Sequence, residues 1–188
     1  MSSTINRFPL VMKTVALLTA VITIVLAVSY RILVWGWILP TAITLGTTCY
    51  HFSMRLLVGW IVPYMAKSID PNCRWFQPRP WEPSFYTALS VKNWKRKLPT
   101  YSPEQFDLST NTLSQVIRNT CNAELVHEVI ILFSFLPLTF TAWFGSFPVF
   151  LITSLAAALF DSIFVIAQRY NRPRLVRILK KRRPSNIE

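Results

Sequence analysis

Three stretches without Asp, Glu, Lys or Arg dominate the chain: residues 14–30, 32–54 and 129–160, which are 17, 23 and 32 residues long. A helix rises about 1.5 Å per residue and bilayer hydrocarbon is about 30 Å thick, so roughly 20 mostly apolar residues make one crossing. The third stretch is too long for one crossing, and Phe144-Gly145-Ser146-Phe147-Pro148 near its middle supplies a turn. The pattern predicts an all-α membrane protein, a single integral domain with four spans at about 9–29, 33–57, 123–143 and 147–168. The second helix is expected to run on to about Ala66, with Pro40 as a point where it can kink. Asn111 to His127 reads as an amphipathic helix that carries Leu113, Val116, Ile117 and Thr120 on the face of Glu124 and His127 and feeds into the third span.

Residues 67–122 are too many for a structureless connection. Pro71, Pro78, Pro80 and Pro83 deny a continuous helix to the first part. From Phe85 to Leu98, aromatic and aliphatic residues alternate with Lys92, Lys95, Arg96 and Lys97, as in a segment lying flat at a membrane interface. A solvated basic loop with a few anchoring aromatics is the simpler alternative.

Composition sharpens this reading. Of 188 residues, 52% are hydrophobic, and 20 Lys and Arg stand against eight Asp and Glu, for a net charge of +12. Such an excess of base suits a nucleic-acid binder or a membrane protein, and position separates the two. Eight bases lie between Lys67 and Arg118 and eight more between Arg169 and Arg183, whereas the short connections on the other side hold only Arg31. Basic residues are retained on the cytoplasmic side, so both termini, segment 67–122 and the tail 169–188 are expected in the cytoplasm of a multi-pass cell-membrane protein. The expected partners are membrane lipids and not nucleic acid, because the bases adjoin the spans and no recognition module is present. The first span, which follows Arg7 and Lys13, is read as an uncleaved anchor in a chain given from Met1, although Ala27-Val28-Ser29 resembles a signal cleavage site. Cys49, Cys73 and Cys121 imply no disulfide framework. Neither a phosphate-binding glycine loop nor an internal repeat is found.

Candidate chemistry falls in a few places. Glu124 and His127 are three apart, hence neighbours on one helix face where it enters the membrane. A carboxylate that orients one imidazole nitrogen leaves the other as a base for an alcohol; the plainer alternative is an interfacial pair that caps the helix start. With only His51 and His127 in the chain, neither a three-histidine zinc site nor a di-iron site with two Glu-x-x-His motifs can be built, and no metal or other cofactor is expected. Asp161 lies within the fourth span, where a carboxylate needs a partner or water. It is either a site residue or a structural partner of Arg55 or His51, which share a face of the second helix. Finally, Gln168-Arg169-Tyr170-Asn171-Arg172-Pro173-Arg174-Leu175 sets three arginines in six residues at the end of a span, suited to clamp phosphate or carboxylate. A stop signal would need only the charge. The later Lys180-Lys181-Arg182-Arg183 cluster reads as that stop signal or as lipid contact.

Three blocks taken together carry a resemblance. They are Arg79-x-Trp81-Glu82-x3-Tyr86 leading to Lys92-x-Trp94-Lys95-x-Leu98-Pro99, then Cys121-x-Ala123-Glu124-Leu125-x-His127, then the block from Gln168 to Leu175. In this order they resemble the glycosyl-4,4'-diaponeurosporenoate acyltransferase family of the staphyloxanthin-type carotenoid pathway, over about residues 75–178. The sequence departs from that pattern at Pro83-Ser84, Arg96 and Glu128. The resemblance implies an O-acyltransferase that moves a fatty acyl group from an activated donor, acyl-CoA or an acyl carrier, to a sugar hydroxyl of a glycosylated carotenoid or similar glycolipid. It places Glu124 and His127 at the reaction centre. Arg169, Arg172 and Arg174, with Arg79, Lys92 and Lys95, are then expected to hold the donor's phosphates, and Gln168, Tyr170, Asn171, Trp81, Glu82, Trp94, Asp161 and Arg55 to complete the substrate site. The rival reading is a non-catalytic lipid-binding or scaffold subunit, in which Glu124 and His127 are dispensable.

Overall fold

The computed structural model describes residues 7–33 and 35–182, and its described elements are helical. Two long helices, α1 (Phe8–Leu33) and α2 (Ile38–Met65), lead into a run of short ones. After 3-10 turns at Ala66–Ser68 and Arg74–Phe76 come α3 (Glu82–Ala88) and α4 (Val91–Trp94), then 3-10 turns at Lys95–Lys97 and Pro103–Phe106. The chain then forms α5 (Leu113–Phe133), a 3-10 turn at Leu136–Phe140, α6 (Thr141–Phe144) and α7 (Phe147–Arg182).

The boundaries have local causes. A capping box starts α5: Thr112 Oγ1 accepts from the Gln115 amide at 3.3 Å, and Gln115 Oε1 accepts from the Thr112 amide at 2.7 Å. At its other end the Ser134 amide bifurcates to the carbonyls of Ile130 and Ile131, and Pro137 offers no N–H to resume an α-helix. The expected hairpin falls at Gly145 and Ser146, with φ of 64° and 50°. That left-handed turn suits glycine and costs serine strain. Pro148 lies in the first turn of α7, where its missing N–H has no intrahelical partner to lose.

One expectation needs correction. Among the described residues three helical stretches, not four, are long and apolar enough to cross a membrane: Phe8–Leu33, Leu113–Phe144 and Phe147–Arg182. The predicted span at 33–57 is the helix α2, which does continue to Met65, but Thr41, Thr44, Thr47, Thr48, Tyr50, His51, Ser53 and Arg55 dilute its apolar character. The four threonines each turn their hydroxyl back to the carbonyl four residues earlier, at 2.8–2.9 Å, which is how a helix hides such groups from hydrocarbon. The predicted cytoplasmic ends fall partly on residues 1–6 and 183–188, including Arg183, which lie outside the described residues.

The chain clusters into two compact units, one of residues up to 60 with 129–161, the other of 61–128 with those from 162 onward. In the first unit α1 leaves large aliphatic side chains such as Leu17 and Ile24 about two-thirds exposed, and buries Met12, Ala16 and Thr19. A contiguous apolar surface of this kind is made for lipid. Small buried residues, among them Ala42 on α2 and Ser154, Ala157 and Ala158 on α7, allow the close backbone approach on which membrane helices rely. In the second unit a 3-10 turn, α3 and α4 contribute buried Phe76, Glu82 and Val91, and α5 contributes Val116, Ile117, Thr120 and Cys121.

Candidate active site

The second unit is organised around charge. Glu124 on α5 and Glu82 on α3 are 0% and 2% exposed, and Arg172 on α7 is 3% exposed. Burying such groups is costly unless they are paired and hydrogen-bonded. Glu124 Oε1 accepts from Arg169 Nη1 at 2.5 Å, and Oε2 accepts from Arg172 Nη2. Arg169 also donates to Glu82 Oε1 through Nε at 2.9 Å and Nη2 at 2.6 Å. Two carboxylates and two guanidiniums therefore neutralise one another.

The remaining arginine donors are fixed by backbone. Arg169 Nη1 and Nη2 reach the carbonyls of Trp75 and Gln77 at 3.1 Å. Arg172 donates to the Phe76 carbonyl, the Thr120 carbonyl and Thr120 Oγ1, each at 3.1 Å, and its guanidinium lies over the Phe76 ring. An arginine has five N–H donors, and all five of Arg169 are matched by acceptors here. These bonds tie the stretch Trp75–Gln77 to α7 where the prolines around it forbid a regular helix.

The carboxylate that the sequence suggests as the orienting partner of His127 thus accepts, on its two oxygens, from Arg169 and Arg172. His127 lies one turn further along α5, and its ring stacks on Phe164 with centroids 4.6 Å apart and planes within 10°. Beside His127 in sequence, Glu128 Oε2 accepts from Trp75 Nε1 at 2.8 Å.

A second cluster in this unit is cationic. Tyr170 on α7 has Lys95 Nζ 4.6 Å and Arg174 Cζ 4.0 Å from its ring centroid, and Tyr86 meets it edge-on at 5.5 Å. Lys95 also donates to Asn171 Oδ1. Among the described residues neither Lys95 nor Arg174 has a carboxylate partner. Partial burial, with Arg174 and Arg96 nearby, pulls the Lys95 ammonium below its ordinary range. Tyr86 moves the other way, since burial and the hydrogen-bonded Glu82 carboxylate push its phenol up.

The other residues singled out by sequence are dispersed. Arg79, Lys92 and Trp81 are exposed, Trp81 edge-on to Phe85 at 5.7 Å, and Trp94 Nε1 donates to the Leu89 carbonyl at 2.9 Å. Gln168 is half-buried. In the first unit Arg55 Nη2 donates to Asp161 Oδ2 and, at 3.3 Å, to the Ala157 carbonyl. Sequence reasoning missed the carbonyls of Trp75, Phe76 and Gln77, since any residue carries one. It also missed Thr120 as a ligand of Arg172, for which its place on the Glu124 face was the only signal.

The sequence model of the family described as glycosyl-4,4'-diaponeurosporenoate acyltransferase matches residues 72–181, which contain both clusters, and the chain belongs to that family. It is accordingly an acyltransferase. No curated protein and no solved structure matches the chain.

Proposed function

We propose that this acyltransferase moves a fatty acyl group from a phosphate-bearing activated donor, acyl-CoA or an acyl carrier, to a sugar hydroxyl of a glycosylated carotenoid or similar glycolipid at the cytoplasmic face of the membrane. The observation that carries the donor half of this reading is the pair of cations on Tyr170. Arg169 and Arg172 are neutralised by buried carboxylates, whereas the exposed Arg174 and the half-buried Lys95 have no carboxylate partner among the described residues. An anionic phosphate is the complementary ligand, with Asn171 holding Lys95 toward it.

His127 is the proposed general base. It takes the proton of the acceptor hydroxyl as that oxygen attacks the acyl carbonyl of the donor thioester. The tetrahedral intermediate then collapses, the carbon–sulfur bond breaks, and the leaving thiolate recovers the proton from the imidazolium. Product is an ester and a free thiol, and no covalent enzyme intermediate is needed. Glu124 serves as a positioning residue: through Arg169 and Arg172 it holds α5, and so His127, against α7. Phe164 fixes the plane of the imidazole.

The test is mass spectrometry of membrane lipids and pigments from cells with wild-type protein, with His127→Ala and without the protein. An acylated glycolipid is expected with wild type alone, while His127→Ala remains in the membrane at normal level. Wild-type ester formation by the variant would overturn the role of His127, and no change in any acylated lipid would overturn the reaction.

A further inference from the structure

The first unit contains a cavity of about 570 Å³, and no residue of the acid–base network lines it. Small-molecule sites span roughly 300–1,000 Å³. The turn after Ser134, where α5 ends, contributes Pro137 and Phe140 to the cavity wall, to which α1 adds Ala27 and α2 adds Ile43. Gly46 contributes by lacking a side chain, since a Cβ there would come within 3.3 Å of Thr23 Cγ2.

The polar side chains of Thr23, Thr47 and Tyr50 in the wall are already committed. Thr23 Oγ1 donates to the Thr19 carbonyl at 2.7 Å, Thr47 Oγ1 to the Ile43 carbonyl at 2.8 Å, and the Tyr50 hydroxyl to the Phe133 carbonyl at 2.9 Å. What faces the space is methyl groups and rings. A sugar or nucleotide would leave its hydrogen-bonding groups unmatched there, whereas a hydrocarbon chain loses nothing. Tyr30 and Arg31, in the last turn of α1, also line the cavity. Arg31 is exposed, is the only base between Lys13 and Arg55, and has no carboxylate partner among the described residues. A lone exposed cation on the wall of a half-open apolar cavity is complementary to an amphiphile with one anionic end.

We infer that this cavity is a binding site for an anionic phospholipid, one acyl chain inside and the phosphate on Arg31. This stands on residues that the acyl-transfer reading does not use, so either can fail alone. The test uses the full-length protein in nanodiscs doped with phosphatidylglycerol or phosphatidylcholine bearing the same diazirine-labelled acyl chain. Labelling is expected to concentrate on the peptides carrying Ile43 and Phe140 and to be about fivefold stronger for phosphatidylglycerol, the effect of one well-placed base. Arg31→Gln should bring the two lipids level, and Ile43→Trp should suppress labelling of the Phe140 peptide. Because the tryptophan replaces a residue of the wall itself, Arg31→Gln, which is on the surface, provides the second arm. Labelling spread equally over lipid-facing residues such as Leu17 and Ile24, or equal labelling by both lipids in the wild type, would overturn the inference.

Discussion

The two units bury charge in different ways. In the second, Glu82, Glu124, Arg169 and Arg172 cancel one another, and every N–H of Arg169 has an acceptor in a carboxylate or a backbone carbonyl. In the first, Arg55 pairs with Asp161 and donates to the His51 and Ala157 carbonyls, while its Nε and both ring nitrogens of His51, which is 5% exposed, have no hydrogen-bond partner among the described residues. A satisfied network fixes the elements it joins, whereas an unmatched donor such as Arg55 Nε is a polar group left in reserve. The comparison also shows how to rank arginines as ligand contacts: by the donors they have left, not by their charge. On that measure Arg174 outranks Arg169, although the two lie five residues apart in one motif.

The largest expected effect is on the network. Glu124→Ala leaves two buried guanidiniums without their shared carboxylate and should cost about 3–5 kcal/mol, read as a large loss of thermal stability in detergent. A fall within 1 kcal/mol would mean that the network is not the frame of the second unit. In the first unit Asp161→Asn should cost less, about 3 kcal/mol, because Arg55 keeps the His51 carbonyl at 3.0 Å and the Ala157 carbonyl. Replacing both partners, Arg55→Met with Asp161→Leu, should recover stability to within about 1 kcal/mol of wild type. If the double variant is as unstable as the single, the cost of Asp161→Asn does not come from leaving Arg55 unpaired.

Smaller effects separate the frame from the proposed donor site. Arg174→Ala and Lys95→Gln should each weaken donor binding about tenfold, roughly 1.4 kcal/mol, while the unfolding midpoint stays put. The same substitutions should flatten the salt dependence of donor KM. Since the Lys95 ammonium is held below its ordinary range, wild-type donor affinity should begin to fall at a lower alkaline pH than a normal lysine would set, and Lys95→Arg should move that fall upward. The smallest is Tyr86→Phe, at about 1 kcal/mol. A phenol raised in the folded state contributes its stability in full below the ordinary value of 10.0 and loses it as pH climbs beyond, so the variant should lack that part of the alkaline destabilisation.

Much of the architecture was legible because its signals are local. Run lengths of apolar residues located α1 and α7, the amphipathic pattern from Asn111 to His127 located the first part of α5, and Gly145 with Ser146 marked the hairpin. Where the sequence misled, as at α2, an uncharged stretch was taken for an apolar one, although its threonines, tyrosine and histidine lower its hydropathy. The site was legible only as a set of residue types. Glu82, Glu124, Arg169 and Arg172 stood out in their motifs, yet nothing local says that Glu82, 87 residues before Arg169, is its partner. Which cations remain available was likewise decided in space, because hydrogen bonds compete for a fixed number of donors and acceptors, and the winners include carbonyls that no side chain announces. The sequence by itself determined a basic, helical, membrane-suited acyltransferase chain, since length, hydropathy and motif are properties of the chain in order. Only the tertiary structure decided which charges are frame, which are free and where a chamber opens, since burial and pairing are set by neighbours distant along the chain.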